Sequence, residues 1–359
     1  MSLHPLIELT RDREVKQTKG FKAVASELKG ETLQAKYQQE VESAPKRHDA
    51  SKKYLGVKTG RTPTAGQTGK DDRHLASAIA AWAEANEGAI ALHTGDSLQI
   101  VDCLVPTRTA APDKARGDED PNKGMEDVGL LALLPDERLA VVSLRYLAPD
   151  ATRSAVGDTP LRGLLAGLAQ AAAIDANRLA LREEVLEATG RTTGDEAPAL
   201  ILAASPRYWE ICRKREAQKG AGWIRELERL GREVAEQIGV EVFFVGISLE
   251  GEPPWEYLES GPVLRGAPDL APAWEAGAGK LKPKPKRKSK SKKSDGVNEI
   301  READLDRPPR GYKITDSYEP GDRIEHTTLG DGVVQHAVGR GKVRVLFGEE
   351  TKLLIHERP

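Results

Sequence analysis

Asp127-Val128-Gly129-Leu130-Leu131-Ala132-Leu133-Leu134 and Arg138-Leu139-Ala140-Val141-Val142-Ser143-Leu144-Arg145-Tyr146, joined by Pro135-Asp136-Glu137, decide the fold. Both runs are nearly continuous in apolar residues, as in adjacent strands covered on both faces rather than half exposed. Downstream, Thr159 caps a helix that begins with Pro160, where a missing amide costs little, and Leu161, Leu164, Leu165, Leu168 and Ala172 form its apolar face. A second helix carries Leu179, Leu181, Val185 and Leu186 and stops at Gly190. Ala199 to Ala204 reads as a short buried strand, and Ser205-Pro206 opens another helix. Trp223, Leu227, Leu230, Val234 and Ile238 advance by three or four residues and mark the clearest helix, closed by Gly239 before the strand Val240 to Ile247.

Upstream, Asp72 is an N-cap for a helix with Leu75, Ile79 and Trp82 on one face, ended by Gly88. Strands Ala89 to His93 and Ser97 to Pro106 follow around the turn Thr94-Gly95-Asp96, and Thr107 to Lys123 is a surface loop rich in Asp, Arg and Pro. The order helix, four strands, helices, strand, helices, strand is that of an α/β domain over residues 72–250.

The flanks differ in character. Residues 1–71 are polar, Lys-rich and poor in aromatics, and read as a largely flexible arm with one helix near Gly20 to Glu42, striped by Phe21, Val24, Leu28 and Leu33. Gly60 to Lys70 lacks the Gly-Lys-Ser/Thr ending of a phosphate loop and reads as a linker. Residues 251–311 turn Pro-, Gly-, Ala- and then Lys-rich, the composition of a tether without a packed core. Residues 312–359 alternate in short strands around Gly330-Asp331-Gly332 and Gly339-Arg340-Gly341, with Val343, Val345 and Phe347 on one face and Lys342, Arg344 and Leu346 on the other. So short a stretch suits a small curled barrel.

Charge and composition bound the functions. The formal net charge of −2 hides nine cations and no acid between residues 280 and 293, which leaves −11 on the rest. Lys280, Lys282, Lys284, Lys286, Arg287, Lys288, Lys290, Lys292 and Lys293 form a local polyanion-binding candidate. With no aromatic among them to stack on bases, they would contact phosphates without reading sequence. A solvated spacer held extended by self-repulsion is the other reading of the same run. Cys103 and Cys212 are too few and too distant for a disulfide framework or a Cys-x-x-Cys site, and read as buried thiols. His326, His336 and His356 lie together in the tail without metal-ligand spacing. No run approaches 18 uninterrupted apolar residues, and the start lacks the order of a signal peptide, so the expectation is a soluble cytoplasmic protein with no membrane partner.

On the element order and the strand pair, residues 72–248 resemble the restriction-endonuclease-like superfamily with the PD-(D/E)XK signature. The stretch Leu98 to Pro106 is similar to one in bacterial members of that group. The resemblance implies a mixed sheet flanked by helices and places Asp127 at the first signature position, with Ser143 and Arg145 where the second carboxylate and the lysine belong. The tail, through Gly321-Asp322, Gly330-Asp331-Gly332-Val333-Val334 and Val343 to Phe347, resembles small SH3-like barrels of the Tudor-like or CarD type. That resemblance implies docking on RNA polymerase, a repair protein or nucleic acid.

The departure at 143 and 145 bears on chemistry. Phosphodiester hydrolysis of this kind needs a divalent cation held by charged oxygens, which activates water and offsets charge on phosphate. Ser143 is a neutral, weaker ligand, and Arg145 stays protonated and takes no proton from water, although it suits a phosphate. The preferred expectation is a DNA-associated accessory protein with a degenerate site and no cofactor. An active nuclease would use Mg²⁺ or Mn²⁺ on Asp127 and a displaced carboxylate, drawn from Glu126, Asp136 or Asp158, with Asp136 expected at the far end of the strands. A protein-interaction scaffold without nucleic acid, and an ordinary α/β domain in which Asp127, Ser143 and Arg145 merely flank buried strands, are the other readings.

Overall fold

The computed structural model describes residues 4–17, 20–57, 62–67, 71–92, 95–108, 122–152, 158–214, 222–275, 300–338 and 341–357. The basic run 280–293 lies outside them, as do parts of the Gly60 to Lys70 segment and Thr94 of the expected turn. The chain divides into two compact units, Met1–Lys282 and Pro283–Pro359.

The first unit is mixed α/β. Its helices are α1 (Pro5–Arg11), α2 (Phe21–Glu27), α3 (Gly30–Ser43), α4 (Asp71–Ala85), α5 (Pro160–Asp175), α6 (Arg178–Thr189), α7 (Pro206–Lys214) and α8 (Gly222–Ile238). Its strands are β1 (Ala89–Ala91), β2 (Ser97–Val105), β3 (Val128–Leu133), β4 (Leu139–Arg145), β5 (Ala199–Ala204), β6 (Val242–Ser248), β7 (Trp255–Leu258), β8 (Gly261–Leu264) and β9 (Asp269–Pro272). Seven strands form one sheet in the order β1-β2-β3-β4-β5-β6-β9, and β7 and β8 make a separate hairpin. β1 to β4 are antiparallel, β4-β5-β6 parallel, and β9 antiparallel to β6. A bridge between Leu92 and Leu270 brings the two edges together, so the sheet is nearly closed.

The strand pair lies at the sheet's centre, with every residue of β4 buried and all but Gly129 of β3. One face packs on α5 and α8 through Leu131, Val141, Leu164, Leu168, Leu200 and Leu227, and α1 and α3 pack in turn on those helices. The other curls around α4 and the β7–β8 hairpin through Leu75, Ile79, Leu130, Val142, Ile201 and Trp255. Thr159 caps α5, accepting the Arg162 amide at 3.2 Å. At Gly129 a side chain has no room, since a Cβ would stand 2.9 Å from the Val142 carbonyl on the neighbouring strand. Gly129→Ala is therefore expected to cost about 1–3 kcal/mol. Urea denaturation followed by tryptophan fluorescence checks this, and a cost below about 0.5 kcal/mol would contradict it.

Three readings of the flanks are corrected. Residues 1–71 are not a loose arm: Leu6, Phe21 and Leu33 are fully buried in the main core, and α1 packs on α3 and α5. The single helix expected near Gly20 to Glu42 is broken at Leu28, whose extended backbone ends α2. Gly30 then opens α3 with its amide on Glu233 of α8, so tertiary contact overrides a thin stripe. Residues 251–275 are not tether but three short strands, with Trp255, Leu264 and Leu270 buried. On α6, Leu181 and Val185 are buried, whereas Leu179 is 77% exposed and Leu186 48%. Of the two cysteines, Cys212 is buried and Cys103 half-buried.

The second unit contains β10 (Arg310–Gly311), β11 (Arg323–His326), β12 (Gly330–Ala337), β13 (Lys342–Phe347) and β14 (Glu350–Ile355), hydrogen-bonded in that order. Its small core is Tyr318, Ile324, Val334, Val343, Val345 and Phe347, the inward half of the alternation read from β13. Here too part of the expected tether is folded. Buried Asp322 accepts hydrogen bonds from Arg307 at 2.8 Å, Arg310 at 2.5 Å and the Glu319 amide at 3.0 Å, which ties residues 307–310 to the sheet. Burial alone would raise the Asp322 carboxyl, but the amide and the two guanidiniums outweigh it and hold it below the usual carboxylate range.

Candidate functional site

The register of the central hairpin creates the site. Leu130 pairs with Val142 and Leu131 with Val141, so the antiparallel count sets Asp127 level with Arg145 at one end. Asp136 is carried to the other end, where it lines a separate, largely apolar cavity with Leu92, Leu134, Arg138, Ile201 and Phe243. At the first end a cavity of about 370 Å³ is lined by Asp127, Ser143 and Arg145 together with Glu126, Asp158, Asp71, Asp72, Arg73 and Gln170. All three signature positions and two of the three displaced carboxylates thus share one space.

Four elements furnish it. Asp127 directly precedes β3, and Ser143 and Arg145 stand on β4. Asp71, Asp72 and Arg73 form the first turn of α4, inside the helix rather than at the cap read for Asp72. Gln170 reaches in from α5.

The charges are engaged with one another. Arg145 donates from Nε to Asp158 at 3.1 Å and from Nη1 to the Leu144 carbonyl at 2.6 Å. Arg73 stands 3.3 Å from Asp127, and Arg162 is 3.4 Å from Glu126. Asp72 accepts the Tyr146 amide at 2.6 Å. Burial pushes the Asp72 carboxyl up to about 6, against the pull of Arg145 and the Tyr146 amide. Asp158 is likewise raised by burial, which exceeds the lowering by Arg145. Burial alone would lower Arg145, but Asp158 and Asp72 outweigh it and hold the cation more firmly than usual. Arg145 is therefore neither a base nor a metal ligand but the cation of a buried network.

Asp72, Arg73 and Gln170 are missed when the sequence is read by strand signature alone. Gln170 leaves a trace, as the one polar side chain in the run Leu164 to Ile174. Among the described residues no three His, Cys, Asp or Glu side chains are grouped so as to hold a metal ion. In the second unit His326 packs on Tyr312 and His356 on Tyr318, so these two are ring neighbours of the small core. No helix among the described residues is long and apolar enough to cross a membrane. The fold and cavity define an α/β protein with a charged pocket at the end of its central hairpin. No family model, curated protein or solved structure matches the chain.

Proposed function

We propose that residues 72–250 are a restriction-endonuclease-like domain in which the hydrolytic centre has become an ion-pair network. On this reading the protein is a DNA-associated accessory factor: the cations of 280–293 hold phosphates, and residues 312–359, as an SH3-like barrel, dock on a partner of the transcription or repair machinery. The observation that supports it is the pairing of Arg145 with Asp158 beside Asp127 with Arg73. A general base or metal ligand must be available to water, and these groups are occupied by each other.

Fluorescence anisotropy with duplex and single-stranded DNA over a salt series tests the binding half. If about half of the nine cations are engaged, log K falls against log salt with a slope of about −4 for duplex DNA, and the slope disappears when the nine are replaced by Gln. Equal, salt-independent binding before and after replacement sinks that half. The non-hydrolytic half is tested by incubating DNA with Mg²⁺ or Mn²⁺. Cleavage that Asp127→Ala abolishes would show an active nuclease instead.

A further inference from the structure

The edge strands of a sheet offer outward amides and carbonyls to another strand. In the first unit the edges β1 and β9 meet through the Leu92–Leu270 bridge, and β7 and β8 have four residues each. In the second unit β10 has two residues, whereas β14 has six and pairs only with β13 among the described residues. Glu350, Thr351, Lys352 and Leu353 are exposed, Leu353 by 50%. β14 contains no proline and pairs with β13 without a bulge. Its lysine, the usual guard of an edge, is neutralised, since Lys352 stands 2.6 Å from Glu350.

The direction of the open groups follows from the turn. Gly348 and Glu349 make a two-residue connection, so Phe347 and Glu350 exchange hydrogen bonds, and by alternation Val345 with Lys352 and Val343 with Leu354. The His356 amide donates to the Gly341 carbonyl at 3.0 Å, which keeps the same alternation. The amides and carbonyls of Thr351, Leu353 and Ile355 therefore point away from β13. The Ile355 carbonyl accepts the Tyr312 hydroxyl, and the Glu357 amide donates to Asp316, so the edge is covered from Ile355 onward and open at Thr351 and Leu353.

The segment that complements this stretch is the same stretch turned round. We propose that β14 pairs antiparallel with β14 of a second copy of the chain, the two-fold axis passing through Thr351. A two-fold at residue 350 or 352 sets Glu350 or Lys352 opposite its own copy, which repels. A two-fold at Leu353 needs the Ile355 backbone, where Tyr312 already stands. Centred on Thr351, the two threonines exchange amide–carbonyl bonds and Leu353 pairs with Glu349 of the second copy. Glu350 then lies opposite Lys352 twice, in the closer, non-hydrogen-bonded kind of pair. The turn of each copy ends beside Leu354 of the other, short of the covered residues. Such a contact is isologous and closes at two chains. It is independent of the DNA-associated reading, because no residue of 72–250 or 280–293 takes part.

Sedimentation equilibrium of the full chain, free of nucleic acid and at constant ionic strength, tests it. A short strand pair is a weak interface, so the mass is expected to double over roughly 10–100 μM and to rise no further. Lys352→Glu and Glu350→Lys each set like charges opposite one another at both places, and each is expected to weaken association about tenfold or more. An equimolar mixture of these two variants, and the chain carrying both substitutions, are expected to regain it. Thr351→Pro removes only an outward amide and is expected to stay monomeric; the charge variants decide should it not fold. A wild-type chain that remains monomeric to about 500 μM overturns the pairing, as does one that grows beyond a dimer. Association that neither charge variant weakens, or that neither the mixture nor the double substitution restores, belongs to another surface and overturns it too.

Discussion

Arg145→Met is expected to lower the stability of the first unit by about 3–5 kcal/mol at pH 7.5, the range for breaking a buried ion pair from one side. Methionine fills much of the space, so the loss is electrostatic: Asp158 keeps its charge without the guanidinium at 3.1 Å, and the Leu144 carbonyl loses its donor. All five tryptophans lie before residue 283, so their fluorescence during urea denaturation reports on this unit alone. The deficit should shrink as pH falls from 7.5 toward 5. Asp158 is already raised and Asp72 is up at about 6, and both rise further without the cation, so protonation removes the stranded charge. Adding Asp158→Asn should recover most of the loss. A deficit below 1 kcal/mol that ignores pH would mean that solvent screens the pair.

The same network predicts a gain from Asp72→Asn. The folded carboxyl titrates near 6, above the ordinary 3.8, so between these values the folded chain binds a proton that the unfolded chain has released. Stability therefore falls as pH rises from about 4 to about 6, and the cost persists above that window. Asparagine still accepts the Tyr146 amide but carries no charge, and should stabilise by about 1–3 kcal/mol above pH 6 with little difference below pH 4. Urea midpoints at pH 3.5 and 7.5 decide it; equal shifts at both would show that the effect is not titration.

How far the sequence discloses this arrangement depends on the kind of signal. β3 and β4 are legible because a central strand must be apolar on both faces, and α5 because Thr159 and Pro160 mark its start while leucines mark its face. The meeting of Asp127 with Arg145 follows from a short hairpin, which leaves little freedom of register. Gln170, Asp72 and Arg73 arrive on helices, and which helix end meets the hairpin depends on packing that no local period records. α1 is not read at all and α2 and α3 read as one loosely held helix, because each contributes few apolar residues and because buried Glu40 looks like any surface Glu. β7 to β9 span only four residues each, too short for an alternation to stand out among Pro and Gly.

Because the N-terminal residues belong to the core, Glu40→Ala is expected to cost about 3–5 kcal/mol. Glu40 is buried on α3, with Oε1 accepting the Leu6 amide at 2.8 Å and the Ile7 amide at 3.4 Å, two donors that the first turn of α1 leaves unpaired. Its Oε2 stands 2.6 Å from Nδ1 of buried His4, whose Nε2 is 2.9 Å from Asn122 Oδ1. With an oxygen at each ring nitrogen, the arrangement favours the protonated form of His4. Burial alone would lower its pKa, but the hydrogen bonds to Glu40 and Asn122 and the Glu40 charge outweigh burial and the Arg11 charge and raise it above 6.5. A raised histidine contributes stability that is complete below 6.5 and disappears as pH climbs through the folded value. The wild-type urea midpoint should fall on the alkaline side of 6.5, whereas His4→Gln should start lower and vary less over that window. Limited proteolysis gives the structural readout: at pH 6 cleavage between residues 12 and 20 should be slow in the wild type and fast in Glu40→Ala, because α1 then has no partner for its leading amides. Equal rates would return residues 1–57 to the status of a loose arm. Slow cleavage in the wild type alone makes α1 a wall of the same core that holds the central hairpin, so the charged cavity stands on a scaffold beginning at His4 rather than at α4.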